Sequence, residues 1–154
     1  MIIWFTGQPF SGKTTLANTL IDYLENMRNR RICYIDGDDL RKIIRNKDYS
    51  ETGRRFNVEV AQSIAIAAES QSHISDTVVS MVSPYREQRE FLKKTHNVRE
   101  IYLTSKRVRS ENYVVSNYEP PLVNFLQIDT DSTDIEKSLK LIINYIDTPI
   151  CYDV

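Results

Sequence analysis

Gly7-Gln8-Pro9-Phe10-Ser11-Gly12-Lys13-Thr14 satisfies the pattern G-x-x-x-x-G-K-[ST], a loop that cradles phosphate oxygens between a strand and a helix. The flanking sequence meets that demand. Ile2–Thr6 is a short apolar run, as expected of a strand buried on both faces. Thr14–Met27 then carries Leu16, Leu20, Ile21 and Leu24 on one side at helical spacing. Gly7 lets the chain leave the strand in a conformation that other residues resist, and Gly12 lets backbone approach phosphate closely. Successive N–H groups from Phe10 and Ser11 through Thr15, with the positive end of the helix behind them, form an anion cradle. Lys13 is placed to reach the β- and γ-phosphates of ATP, and the Thr14 hydroxyl to ligand Mg²⁺.

Glycine is scarce elsewhere. The 154 residues contain four, where an average chain has about 7%. They are Gly7, Gly12, Gly37 and Gly53, so the chain keeps glycine near the candidate ligand contacts. An apolar share of 41% and a charged share of 27% are those of a globular protein, and a net charge of -1 draws the chain to neither nucleic acid nor anionic membrane. Cys33 and Cys151 lack metal-ligand spacing, which suits a reduced, cytoplasmic protein. No apolar stretch is long enough to span a bilayer, and the opening MIIWFTG is not a signal peptide. One domain over 1–154 is expected, and a homodimer is left open.

Apolar runs alternate with helix-period segments, the pattern of a three-layer α/β domain with a five-stranded parallel sheet. Strands are expected at Ile2–Thr6, Arg31–Asp36, Thr77–Val82, Val98–Leu103 and Leu122–Ile128. A short helix is expected over Asp38–Ile44, and a long one over Arg54–Gln71 with Phe56, Val60, Ile64 and Ala68 as its apolar repeat. Tyr85–Lys94 reads as a charged surface helix and Thr133–Ile146 as a closing amphipathic one. Thr104–Tyr118 has no clear period.

Asp36-Gly37-Asp38 falls at the end of the second strand, the edge where open α/β sheets bind ligands. The third strand, TVVSMVS, ends in serine and provides no acid, so Asp36 is the carboxylate best placed to hold Mg²⁺ water or take a proton from a hydroxyl. A turn with Asp38 capping a helix from Leu40 is the structural alternative. Arg54-Arg55 at a helix start oppose the helix dipole, which favours a ligand reason for one of them.

Taken together, GQPFSGKTT, DGDDLR, YSETGRRFN and VSPYREQR resemble, in order and approximate spacing, the adenylyl-sulfate kinases. The likeness covers about the first 90 residues, and Asn117-Tyr118-Glu119-Pro120-Pro121 resembles a later signature. It implies a P-loop kinase fold, ATP and Mg²⁺ as cofactors, and transfer of the ATP γ-phosphate to the ribose 3′-hydroxyl of adenosine 5′-phosphosulfate, a step of sulfate assimilation. It further implies that Asp36 is the base or metal-water ligand and that Asp38, Arg41, Arg54 and Asn57 contact the acceptor. Ser83 and Pro84 would line the same pocket. Tyr49, where the family has phenylalanine, is either a stacking platform or a core aromatic. Arg86 and Arg89 are substrate contacts or a solvated helix face, the solvated face being expected for Arg89.

Two departures stand out. Val58-Glu59-Val60 follows Asn57 where the family has arginines, and the lid, about 104–118, is short and lacks the family's Lys-Gly-Leu-Tyr-type run. Lys106, as a substrate contact, Arg107 and Arg109, on the transferring phosphoryl group, and Tyr113 are placed to substitute. The acceptor is therefore left between adenosine 5′-phosphosulfate and another nucleotide, such as a cytidine diphosphoramidate-type one. A non-catalytic nucleotide-binding module is the alternative of another class.

Overall fold

The computed structural model describes residues 1–107 and 114–149, so Arg109, Cys151 and the middle of the lid lie outside the described residues. Five strands form one parallel sheet: β1 (Ile2–Gly7), β2 (Ile32–Asp36), β3 (Asp76–Ser80), β4 (Val98–Thr104) and β5 (Phe125–Asp129), in the order β2-β3-β1-β4-β5. Among the described residues five helices accompany it: α1 (Lys13–Arg28), α2 (Gly37–Ile43), α3 (Glu51–Glu69), α4 (Arg86–Thr95) and α5 (Ile135–Asp147).

The central strand explains the opening apolar run. Ile3 and Phe5 pack on one face with Leu16, Leu20 and Leu24 of α1 and Ile142 of α5, while Ile2 and Trp4 pack on the other with Ala61 and Ala65 of α3 and Leu92 of α4. Every side chain of β1 is thus inside, and no polar alternation is tolerated. Helix α1 carries the chain outward from β1 to β2, and α4 carries it from β3 across to β4 on the opposite side of β1. The connections diverge at the C-terminal end of β1, which opens a crevice there. Among the described residues no helix is long and apolar enough to cross a membrane.

Three expectations need correction. The buried stripe of α3 is Asn57, Ala61, Ala65 and Ala68, with Val58 and Gln62, whereas Phe56 and Ile64 are 51% and 38% exposed. Of the expected repeat Ala68 is buried and Val60 packs against the core, while Phe56 and Ile64 fall outside the buried stripe. Small alanines let α3 lie close to the sheet, and the larger apolar residues are left outside. The fifth strand starts at Phe125 rather than Leu122, because Asn124 takes a left-handed conformation (φ 51°) that breaks extended pairing. The surface helix α4 buries Arg89 and Leu92.

Candidate active site

The phosphate loop leaves β1 at Gly7, where φ is 145° and an added Cβ would lie 2.3 Å from the Leu103 carbonyl oxygen of the neighbouring strand. Neither feature admits a side chain. Phe10 adopts φ 65° and Gly12 φ 92°, and α1 then begins without a side-chain cap. The first-turn N–H groups of α1 are therefore left for a ligand. The Lys13 ammonium is drawn inside the loop, donating to the Gly7 and Gln8 carbonyl oxygens at 3.0 and 2.7 Å and to Ser11 Oγ at 3.4 Å. Burial pushes its pKa down to about 8, against the opposing pull of Asp38 and Asp36.

Asp36 is fixed from both sides. Its Oδ1 accepts the backbone N–H groups of Asp38 and Asp39 at 2.9 and 3.3 Å, which makes Asp36 the N-cap of α2. Its Oδ2 accepts from the Thr14 hydroxyl at 3.2 Å and the Tyr34 hydroxyl at 3.3 Å. The alternative in which Asp38 caps the helix is thus overturned: α2 starts at Gly37, and Asp38 lies in its first turn. Gly37 is required for close approach rather than for a turn, because a Cβ there would meet Met81 Cβ at 2.6 Å.

Tyr34 was not anticipated. Residues two apart on a strand share a face, so the sequence held that signal. Burial, and then the Asp36 charge, push its phenol up to about 12, so it remains a donor at neutral pH. Ser80, at the end of β3, brings its hydroxyl to 3.4 Å from Thr14 Oγ1. The strand thus ends earlier than expected, and it is Ser80, not the terminal Ser83 of TVVSMVS, whose hydroxyl lies beside Thr14.

A cavity of about 1610 Å³ joins these groups to the proposed acceptor residues. Its walls include Phe10, Lys13, Thr14 and Thr15, then Asp36, Asp38 and Arg41, and then Tyr49, Arg54, Asn57, Ser83 and Pro84. Its size exceeds the roughly 300–1,000 Å³ usual for one small ligand, which leaves room for two nucleotides. Tyr49 is 61% exposed, so it is not a core aromatic; the guanidinium carbons of Arg41 and Arg54 lie 4.4 and 5.8 Å from its ring centre. Arg41 also donates to the Asp48 carbonyl at 2.8 Å and Arg54 to the Tyr49 carbonyl at 2.9 Å.

Helix α3 begins at Glu51, capped by Ser50, so Arg54 and Arg55 fall past its first N–H groups and the expected dipole conflict is small. Arg55 is occupied by Glu51 at 2.8 Å and by the Tyr85 ring, and Arg54 is the arginine that reaches the cavity. Asn57 is buried, donates to the Gly37 carbonyl at 3.4 Å and leaves its Oδ1 without a partner.

Around the lid, Arg107 lines the cavity and is braced by Asp131 (2.9 Å) and the Thr130 carbonyl (2.6 Å). Thr130 in turn donates to the Ser11 carbonyl at 3.0 Å, which ties this arginine to the phosphate loop. The Lys106 backbone N–H, then the Ser105 hydroxyl and Arg107, hold the Asp131 carboxyl down at about 2. Lys106 is exposed and contacts Asp131 through its backbone N–H, and its side chain is not brought to the cavity wall. At the other root, the Gln8 amide donates to the Val115 carbonyl at 2.9 Å and accepts the Val115 N–H at 3.0 Å, a contact nothing in the loop pattern foretold.

Arg89 does not face solvent. It is 3% exposed, pairs with Glu100 at 2.7 Å and donates to the Ser83 and Glu119 carbonyls. Ser83 sits at φ 45° with its hydroxyl accepting from Trp4 Nε1 at 2.9 Å. Arg86 braces the same segment by donating to the Pro120 carbonyl at 2.8 Å.

Residues 1–113 match the adenylylsulphate kinase family. A probable adenylyl-sulfate kinase of Archaeoglobus fulgidus is 34% identical over 154 aligned residues, covering 86% of this chain and 97% of that protein. The APS kinase CysC of Mycobacterium tuberculosis, solved with AMPPNP and APS, superposes with a TM-score of 0.79 at 20% identity, over 96% of this chain and 97% of that one. A cytidine diphosphoramidate kinase of Campylobacter jejuni is 42% identical over 53 residues, which is 34% of this chain and 31% of that protein.

Proposed function

The chain belongs to the adenylylsulphate kinase family, and from that premise we propose that it transfers the γ-phosphate of ATP to the ribose 3′-hydroxyl of adenosine 5′-phosphosulfate or a closely similar nucleotide. It is an ATP-dependent kinase of adenylyl-sulfate kinase type, and the reading as a non-catalytic module is set aside. One observation carries the acceptor reading. The Lys13–Thr14–Asp36 group and the Arg41–Tyr49–Arg54–Asn57 group line one continuous cavity. A phosphoryl donor and an acceptor can meet there without leaving it.

The residues divide the work by their chemistry. Lys13 exchanges the loop carbonyls for phosphate oxygens and regains full charge on them. Arg107, held by Asp131 and Thr130, adds a second cation from the lid side, where charge spreads over the transferring group. Asp36 has Oδ1 committed to the backbone of α2, and Oδ2, which accepts from the Thr14 and Tyr34 hydroxyls, is the atom that would take the acceptor's hydroxyl proton or serve the metal site. The Arg41–Arg54 pair suits an anionic phosphate-type group, and Tyr49 offers a ring for a base. Asn57 Oδ1, buried and unpartnered, is an acceptor atom awaiting a donor on the ligand.

Thr14 Oγ1, Asp36 Oδ2 and Ser80 Oγ are hard oxygens of the kind Mg²⁺ takes, and one carboxylate suffices where phosphates and water complete the shell. Thr14 and Asp36 would hold the ion, which supplies neutralisation of phosphate charge.

A second acceptor has specific support. The lid is short, and the Campylobacter jejuni cytidine diphosphoramidate kinase matches at 42% over its 53-residue stretch. ADP release measured over a panel of nucleotides decides between them. Stimulation by adenosine 5′-phosphosulfate places the chain in sulfate assimilation. Stimulation only by a cytidine diphosphate derivative overturns that acceptor while leaving the chemistry intact.

A further inference from the structure

The segment at the end of α2 adds cations to the cavity that neither the phosphate loop nor the acceptor group explains. Lys42, Arg45 and Lys47 all line it. Lys42 is engaged with Asp39 at 2.7 Å. Arg45 and Lys47 have no acidic partner among the described residues, and the nearby Asp48 carboxylate is turned to the Ser50 N–H at 2.8 Å. The whole chain carries a net charge of -1, yet basic residues outnumber the two carboxylates, Asp36 and Asp38, on this wall. Unpaired cations concentrated around one cavity focus its potential toward anions.

The backbone makes Arg45 the more telling of the two. It follows Ile44, the C-cap of α2, with φ 55°, the left-handed position where helices ordinarily end on glycine or asparagine. The chain keeps a long cation where backbone preference asks for no side chain. In the proposed acceptor site Arg41 and Arg54, beside Tyr49, receive the first anionic group. The Arg41 guanidinium is shifted down by its burial, and Arg54 adds to that, so a first anion relieves their mutual repulsion.

We propose that Arg45 and Lys47 form a second anion subsite in the cavity, so that the favoured acceptor belongs to the nucleoside diphosphate class, with a terminal anionic group beyond its first phosphate. The inference rests on the reading of this cavity as the acceptor site. The terminal phosphate, bearing the extra charge, sits against Arg45 and Lys47, while the first phosphate stays with Arg41 and Arg54.

The test is calorimetric titration of the whole chain with its phosphate loop saturated by Mg²⁺ and AMPPNP, so that added nucleotides report on the second site. The probes are the 5′-monophosphate and 5′-diphosphate of cytidine, and the same pair for adenosine. Each diphosphate is expected to bind about tenfold more tightly than its monophosphate, the size of one charge-assisted contact. Arg45→Gly suits the backbone better than arginine, so its thermal midpoint should hold or rise while the diphosphate preference falls by about tenfold. Lys47→Ser should weaken the same preference and leave the monophosphates unchanged. An unaltered ratio in both variants overturns the subsite alone. Failure of every nucleotide to bind overturns the acceptor reading and the subsite with it.

Discussion

Lys13 and Asp36 show how far single residues could be read. The lysine and Thr14 follow from a spacing that only a phosphate cradle requires, and the structure puts the ammonium among loop carbonyls. Its lowered pKa has a testable sign. Below about 8 the free lysine is charged; above it the empty loop holds neutral amine, and phosphate binding must restore the proton. Nucleotide binding at pH 8.5 should therefore take up protons, seen as a binding enthalpy that varies with buffer ionisation heat, and this uptake should vanish in Lys13→Ala. That variant should also lose turnover while its far-ultraviolet circular dichroism is unchanged. Asp36→Asn keeps a good N-cap for α2 but removes the carboxylate, so kcat should fall by about 10²–10⁴-fold with little change in thermal midpoint. Tyr34 escaped notice because a tyrosine in a strand ordinarily signals packing, and its contact with Asp36 depends on the strand ending where it does.

Among the elements, local period proved a better guide to helix existence than to helix face. The alanines of α3 point to the sheet, while Phe56 and Ile64 stay exposed, since residue size alone does not say which side must lie close. Arg89 teaches the same lesson on α4. Its neighbours are charged and the helix looks solvated, but its partner Glu100 belongs to β4 and was invisible at the level of one helix. This pair is buried, joined by Lys93, and holds both Ser83 and the Glu119 segment. Arg89→Ala should destabilise the fold by about 3–5 kcal/mol, because Glu100 is left as a buried charge without that partner. Arg86→Ala, on the exposed side, should cost no more than about 1 kcal/mol, and urea denaturation separates the two. At the lid, Gln8→Leu removes both hydrogen bonds to Val115, so kcat should fall more than ATP affinity does, as single-turnover and binding measurements can distinguish.

For the molecule as a whole, the alternation of apolar runs and amphipathic segments was enough to expect a parallel sheet in three layers. It did not contain the strand order β2-β3-β1-β4-β5, which depends on which face each crossover takes. That order sets the crevice at the end of β1 and brings four distant motifs to one cavity. The near-zero net charge was equally incomplete, because it averages a basic cavity with an acidic exterior. Acceptor identity stayed least legible, since it depends on a shortened lid and on cations outside the family-like motifs.

Phosphoryl transfer from ATP to a nucleotide hydroxyl in that cavity is read out by following the label of γ-³²P-ATP. With Mg²⁺ and the panel of acceptor nucleotides, label should appear on one acceptor as an alkali-stable phosphate ester, and Asp36→Asn should suppress it. Label released only as inorganic phosphate, or remaining on ATP with every acceptor, would rule that transfer out.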